Sequence, residues 1–460
     1  MVWNGFQQQL WLSAADVSWG TASRTSLRPH VDSPSVPTDF LKDVVVWRRA
    51  SWPWHGLLLH SEFHRCLYID HASTDLPSKM NKNYQLVKNF TAVGSTLGDV
   101  HEFMITKNDT ALVTVYVRTP WDLSAFGFDG QGFIYDGVFQ EIDLATGRLL
   151  FEWRASEHID VADNDHGRGK HGGDDRPWDC YHLNSVEKDD RGNYLVSIRH
   201  TSTIYYLDGR TGDIIWRLGR GKSDFTDLSR SRASDFYGQH HARFHDDGNS
   251  ITLFDNGNYI TKSRGMKVGL DFVNMTATLL VSMDSPEGWY SATRGSVTIL
   301  PETGHFLVGY GSAPAFTEYS SDGQEALCDY QFGALHSNPS DSSALTDKGV
   351  ASYRVYRKTW QGFPLTSPDV VFNEPESKVF VSWNGATELR RWRLEGVRNG
   401  GGSEAWEDVA AWERTAFETN ATVRVNDYVR FRLTAEDRDG GELGQWFLTD
   451  GDVEVSSSDA

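Results

Sequence analysis

The chain has 460 residues and a formal net charge of −19, and 39% of its residues are hydrophobic and 13% aromatic. That charge excludes a nucleic-acid partner, which needs a basic footprint, and no apolar run reaches the ~18 residues of a membrane span. Three cysteines (Cys66, Cys180 and Cys328) cannot all pair within one chain, and their spacing fits no metal motif.

Residues 1–42 form an N-terminal segment without an assignable pattern, and an N-terminal blade is expected from about residues 43–90, where Trp47, Trp52 and Trp54 can pack a core. Residues 101–154 contain "HEFMITKNDTALVTVYV" and "FQEIDLATGRLLFEWR". Apolar and polar residues alternate there with the period of half-buried strands. From His182 the layout recurs, with a turn at Asp189–Asn193, strands at Tyr194–Arg199 and Thr203–Asp208, a turn at Gly209–Gly212 and a strand at Asp213–Leu218. Asp143, Thr146 and Gly147 stand in one copy where Asp208, Thr211 and Gly212 stand in the next. In such a hairpin Asp bonds the turn backbone and Gly takes the left-handed conformation. Further copies begin at His241, Gly295 and Asp369, at irregular spacings of roughly 40–65 residues that suit four-stranded propeller blades with variable loops.

The stretch 422–447 supplies strands without a full repeat, and its expected role is to complete the first blade and remove the exposed edges. The fold expected is all-β, a six-bladed β-propeller over residues 43–450 with the C-terminal strands completing the first blade and a polar tail at 451–460; a pair of β-sandwiches is the alternative. Helix is expected only in residues 400–413. The His- and Asp-rich segment 157–175 reads as an inter-blade loop over the channel mouth, with no standard metal-ligand spacing. "GRGKS" at 219–223 is not a phosphate loop, because Trp216 stands where its first glycine belongs. Acceptor tripeptides for N-glycosylation at Asn89, Asn108, Asn274 and Asn420 predict the secretory route, although residues 1–25 hold no signal-peptide pattern.

The run "PWDCYHLNSVEKDDRGNYLVSIRHTSTIYYLDGRTGDIIWRLGRGKSDF", followed by "QHHARFHDDGNSITLFDNGN", resembles the fungal branch of the arylsulfotransferase family, as does "NYQLVKNFTAVGSTLGDVHEFMITKNDTAL" upstream. The likeness runs from about residue 83 to 335 and extends more loosely to 450. It departs from the fungal pattern at His241, where Asp is usual, and over residues 1–82. The resemblance implies a six-bladed propeller that moves a sulfuryl group from an aryl sulfate to a phenol, without a nucleotide sulfate donor, through a sulfated histidine. It implies His240 as nucleophile, His182 and Asn184 from H-x-N-S, Arg199 from S-x-R-H, and His101 from the His-Glu-Phe opening of its strand. No cofactor and no metal are implied, and the partner is a small aromatic or phenolic molecule.

These residue types suit the chemistry. Sulfuryl transfer, like phosphoryl transfer, is mostly positioning and charge stabilisation. Neutral imidazole is a nucleophile near pH 7, a guanidinium fork matches sulfate oxygens, and a second imidazole, His182 or His101, can carry the phenolic proton. His101, His182 and His240 each precede the first strand of a repeat, the position that faces a propeller's channel. His241, Arg243 and His245 read as strand-alternation neighbours. Two rival functions use the same scaffold, a secondary-metabolism cyclase or cycloaddition catalyst and a non-catalytic ligand-binding propeller.

Overall fold

The computed structural model describes residues 77–448 apart from 95–97, 100, 258–261, 332–336, 339–340, 346–351, 358–360, 374, 399, 401–404 and 425–426, and before residue 77 the strands Gln9–Asp16, Lys42–Asp43, Gly56–His60 and Arg65–Ile69. Four consecutive stretches each fold into four antiparallel strands in chain order. The first comprises Phe103–Ile105, Thr110–Asp122, Gln131–Asp143 and Leu149–Arg154, and the second Leu183–Lys188, Tyr194–Ile198, Thr203–Leu207 and Ile214–Gly219. The third comprises His240–His245, Ser250–Asp255, Arg264–Asp271 and Thr276–Asp284, with Thr226–Asp227 added in parallel at its outer edge. Ser296–Ile299, Phe306–Gly309, Ala315–Tyr319 and Ala326–Gln331 form the fourth.

The sheets pack face to face in sequence, as propeller blades do. Leu112, Phe139 and Trp153 of the first share a buried cluster with Val186, Tyr194 and Val196 of the second. Ile204 and Trp216 of the second meet Ile251 and Met266 of the third, whose Phe254 and Met283 meet Val297 and Val308 of the fourth. The central strands are therefore buried on both sides, and Tyr194–Ile198 and Thr203–Leu207 are buried at every position. The expected hairpins form as described: Asp143 Oδ1 accepts from the Thr146 amide and hydroxyl, both at 2.7 Å, and Gly147 and Gly212 have φ of 72° and 81°. Between blades a tight fit is at Gly295, φ 109°, where a Cβ would lie 2.2 Å from the Phe254 ring. Any side chain there must displace that ring.

The innermost strands adjoin one another. The Ala242 amide donates to Ser185 Oγ at 3.1 Å, and the Val355 amide donates to Ser296 Oγ at 2.9 Å. Strand Arg354–Arg357 pairs in parallel with Gln9–Asp16, and Gly56–His60, Arg65–Ile69, Pro77–Met80 and Leu86–Asn89 form a four-stranded sheet of their own.

The C-terminal strands depart from expectation. Tyr428–Glu436 and Glu442–Leu448 do not complete the first sheet; they pair with each other, and Tyr428–Glu436 pairs on its other side with Arg391–Arg398, which in turn pairs with Glu407–Glu413. The repeat expected from Asp369 is divided: Lys378–Ser382 pairs with Asp369–Asn373 on one side and Glu418–Thr422 on the other, while Arg391–Arg398 enters the other sheet. The cause is an apolar face on each sheet, Phe372, Val379 and Val381 against Leu394, Leu433 and Trp392, which bury each other in one cluster. These partners are near in sequence, so closing them costs less chain entropy than reaching residues 56–89. The helix expected in 400–413 is likewise strand over Glu407–Glu413, because Val409, Ala410 and Trp412 pack on that cluster and override their helical preference.

Candidate active site

At the start of the innermost strands, ionisable side chains from successive blades converge. His101 is buried, and its Nδ1 lies 2.5 Å from Asp99 Oδ2, which also receives the His101 amide at 2.9 Å. His182 Nδ1 likewise bonds Asp179 Oδ2, and the His182 backbone is left-handed, with φ 56°. The two rings meet edge to face at 4.6 Å between centroids. His200 follows His182 at 4.7 Å and His166 follows His200 at 4.5 Å, making a continuous row of four imidazoles. Each has its Nδ1 against an oxygen: Asp99, Asp179, the Asp179 carbonyl at 2.7 Å for His200, and Asp165 Oδ1 at 2.6 Å for His166. Among the described residues no hydrogen-bond partner faces Nε2 of His101 or His182.

His240 is 98% buried and stands across Tyr353 from His101, their rings 6.2 and 5.7 Å from the Tyr353 ring. Its tautomer follows from Asn256. Asn256 Nδ2 donates to the Ser291 and Arg294 carbonyls, both at 2.8 Å, so its Oδ1 can only accept, and it takes the His240 Nδ1–H at 2.7 Å. The Nε2 lone pair is left, with the Arg294 amide 3.3 Å away, at the long end for a hydrogen bond. Burial first, then the Arg199 charge, holds the His240 imidazole well below its ordinary value despite the Asn256 bond, so it stays neutral. Burial and the neighbouring cations do the same to His182 and His200.

Arg199 and Asn184 take positions that their residue types alone did not predict. Arg199 Nη1 donates to His200 Nε2 at 2.6 Å and Nη2 donates to the Ala292 carbonyl at 3.0 Å, so its fork is partly used within the protein. Asn184, fully buried, donates through Nδ2 to the Gln239 carbonyl at 2.7 Å and so braces the chain entering His240. His241 is a structural bridge, with Nε2 3.0 Å from Tyr356 Oη and Nδ1 against Val297. Arg243 belongs to an ion cluster beneath the site: Glu102 meets Arg354 Nη1 at 2.6 Å and Arg243 Nη2 at 2.6 Å, and Arg354 Nη2 reaches the His101 and Asn184 carbonyls at 2.8 and 2.9 Å.

The fold brings His101, His182, Arg199 and His240 together, and it adds Asp99, Asp179, His200, His166 and Asn256, which the sequence does not single out. Two signals were present: Asn256 lies in the "FDNG" run and His200 in "SIRH". The loop 157–175 supplies His166, stacked on Tyr237 at 4.5 Å. Asp179, His182 and His200 also offer ligand atoms within 4.8 Å of one another. A divalent ion there would have to break the Asp179–His182 bond and displace the Arg199 guanidinium, whose charge opposes it.

Burial of neutral His182, His200, His240 and His241 has a consequence for stability. Their folded values lie below the unfolded value, so their contribution is complete above about pH 6.5 and is lost as pH falls below it. Each histidine that protonates only on unfolding steepens the loss by about 1.4 kcal/mol per pH unit. Glu187, pushed up to about 7 by burial, opposes this between its ordinary value of 4.5 and 7 with a single proton. Denaturant unfolding at pH 8, 6 and 5 should show stability falling with acid, and His241→Gln should flatten that fall by one proton. An unchanged slope in the variant would refute the assignment.

Four-stranded sheets packed face to face in sequence, with this convergence of histidines at the inner strand ends, define a β-propeller. The chain belongs to the arylsulfotransferase (ASST) family, whose model matches residues 78–333. No curated protein matches it. Among solved structures it is similar to a protein of unknown function from Bacteroides caccae, at 12% identity and TM-score 0.38, over 66% of this chain and 88% of that one. It is similar to the β-propeller domain of Cps50 (Swd1) from Myceliophteria thermophila, at 6% identity and TM-score 0.36, over 72% of this chain and 94% of that one. The Dos1 propeller matches at 11% identity and TM-score 0.34, over 83% of this chain and 75% of that one.

Proposed function

We propose that this chain transfers a sulfuryl group between phenolic oxygens without a nucleotide donor, through a covalent sulfohistidine at His240 Nε2. The observation that carries the reading is the Asn256-fixed tautomer of a buried, neutral His240, which leaves a lone pair on Nε2, 3.3 Å from the Arg294 amide, with Arg199, His182 and His101 near the ring. His240 Nε2 attacks sulfur and the aryl oxygen departs. Arg199 offsets charge on the sulfuryl oxygens, a neighbouring imidazole supplies the proton, and a second phenol then reverses the steps. The Arg294 amide must yield Nε2 as sulfur approaches. Steady-state kinetics with 4-nitrophenyl sulfate and a phenol acceptor should give the parallel-line pattern of a two-step exchange; intersecting lines would mean direct transfer.

A second reading, cyclisation or cycloaddition of an aromatic substrate, draws support from the same Arg294 contact and from the occupied Arg199 fork. Both favour polarisation of a bound substrate over covalent attack. For the scaffold we propose six blades, formed by the sheet 56–89, the four central sheets and one around Arg354–Arg357 that Gln9–Asp16 closes. Limited proteolysis should then leave residues 369–448 as a separable piece, and failure to separate them would count against that division. Asn108, Asn274 and Asn420 are exposed and suit glycosylation on a secretory route. Material secreted from a eukaryotic host should lose mass on deglycosylation at these sites, and unmodified peptides would contradict the route.

A further inference from the structure

The two imidazoles beside the nucleophile are not equivalent, and the difference lies in their aspartates. Asp99 Oδ2 collects three donors, the His101 Nδ1–H at 2.5 Å, the His101 amide at 2.9 Å and the Thr114 hydroxyl at 3.2 Å. The Asp99 amide in turn donates to the Thr114 carbonyl at 2.7 Å, so the carboxylate is fixed to the neighbouring strand as well as to the histidine. Among the described residues Asp179 has only the His182 Nδ1 at Oδ2, and its buried Oδ1 meets no partner. Burial acts to raise both carboxyls. At Asp99 the His101 ring and amide outweigh it, and the group lies below its ordinary value; at Asp179 burial prevails and the group lies above it. Arg199, donating to His200 next to His182, adds positive charge on that side of the pair.

We propose that Asp99 is a positioning residue that makes His101, and not His182, the carrier of the phenolic proton. The inference rests on the sulfuryl-transfer reading and deepens it. A carboxylate satisfied by three donors is ionised and can stabilise a second proton on the ring it holds, as an imidazolium–carboxylate pair. In the first half-reaction His240 Nε2 gives its lone pair to sulfur, the S–O bond to the aryl group breaks, and the aryl oxygen takes the His101 Nε2 proton. In the second, the acceptor phenol returns a proton to His101 Nε2, its oxygen bonds to sulfur, and the N–S electron pair goes back to His240. His182, held by a poorly solvated carboxyl beside Arg199, stays neutral throughout and shapes the site.

The test pairs kinetics with a measurement that does not need turnover. An amide at residue 99 can donate to Nδ1 instead of accepting from it, which turns the ring into the Nε2–H tautomer, unable to take a proton. Asp99→Asn should reduce phenol release from phenyl sulfate on the order of 100-fold, and from 4-nitrophenyl sulfate much less, because nitrophenolate leaves without a proton. Asp179→Asn should slow the two donors alike. His101→Gln, read beside it with thermal unfolding of each variant, separates misfolding from loss of the carrier and should reproduce the donor-selective pattern. Histidine-selective NMR should show a strongly deshielded Nδ1 proton on His101 that disappears in Asp99→Asn, with carbon shifts reporting the changed tautomer. Equal losses on both donors in Asp99→Asn, a donor-selective loss in Asp179→Asn, or an unchanged His101 tautomer overturns the proposal. A wild type that shows the NMR signature but never forms a sulfuryl adduct leaves the Asp99–His101 assignment standing and defeats the transfer reading instead.

Discussion

Glu102→Ala is expected to be the most destabilising single change, costing about 3–5 kcal/mol in denaturant unfolding. Glu102 and Arg354 are 98% buried and Arg243 92%. Removing the carboxylate leaves the buried Arg354 guanidinium without its ion-pair partner and Arg243 facing Glu187, whose own carboxyl burial pushes up to about 7, and it also removes the acceptor of the Val186 amide at 3.3 Å. The cluster ties together the inner strands that begin at Phe103, Leu183, His240 and Arg354, so the loss falls on the ring as a whole. Arg354→Met should cost less, because Glu102 keeps Arg243, although the His101 and Asn184 carbonyls lose their donor. The reverse order of the two variants would show that the cluster is not centred on Glu102.

His240→Gln is expected to have the largest effect on activity, lowering turnover on the order of 10⁴-fold or more while leaving unfolding nearly unchanged. Glutamine can fill the space and bond Asn256, yet it has no nucleophilic lone pair of comparable basicity. Asn256→Leu should fall between wild type and this variant, because it removes the acceptor that fixes Nδ1–H and frees the ring to present a proton at Nε2. Steady-state rates on 4-nitrophenyl sulfate, with circular dichroism as the folding control, give the comparison. Activity retained in His240→Gln would move the reaction to another residue, or to the non-covalent reading.

The repeat register made the four central blades legible. The Asp-x-x-Thr-Gly hairpins and the period-two strands are local, and the local physics decides them. The C-terminal strands were not legible in the same way. Tyr428–Glu436 has the alternation of any half-buried strand, and nothing in that pattern says whether its partner is Arg391–Arg398 or a strand of the N-terminal blade expected within residues 43–90. Glu407–Glu413 reads as helix by composition and becomes strand because the cluster around Trp392 takes its apolar side. At the site, His101, His182 and His240 follow from the motifs of the family resemblance, and they stand at corresponding places in successive repeats. Asp99, Asp179 and Asn256 act through the nitrogen that each fixes, a relation in space that spacing along the chain does not encode. Arg199 follows from S-x-R-H in the same resemblance, and only the fold shows that His200 and the Ala292 carbonyl already use two of its nitrogens.

The central claim is the covalent intermediate at His240. Intact-protein mass spectrometry after a short incubation with 4-nitrophenyl sulfate, without acceptor, measures it directly. The account predicts one added sulfuryl group per chain, released nitrophenol in equal amount, the modification mapped to the peptide containing His240, and loss of the adduct when a phenol is added. A folded wild type that releases no nitrophenol and gains no mass, or one that is modified at another residue, would contradict it.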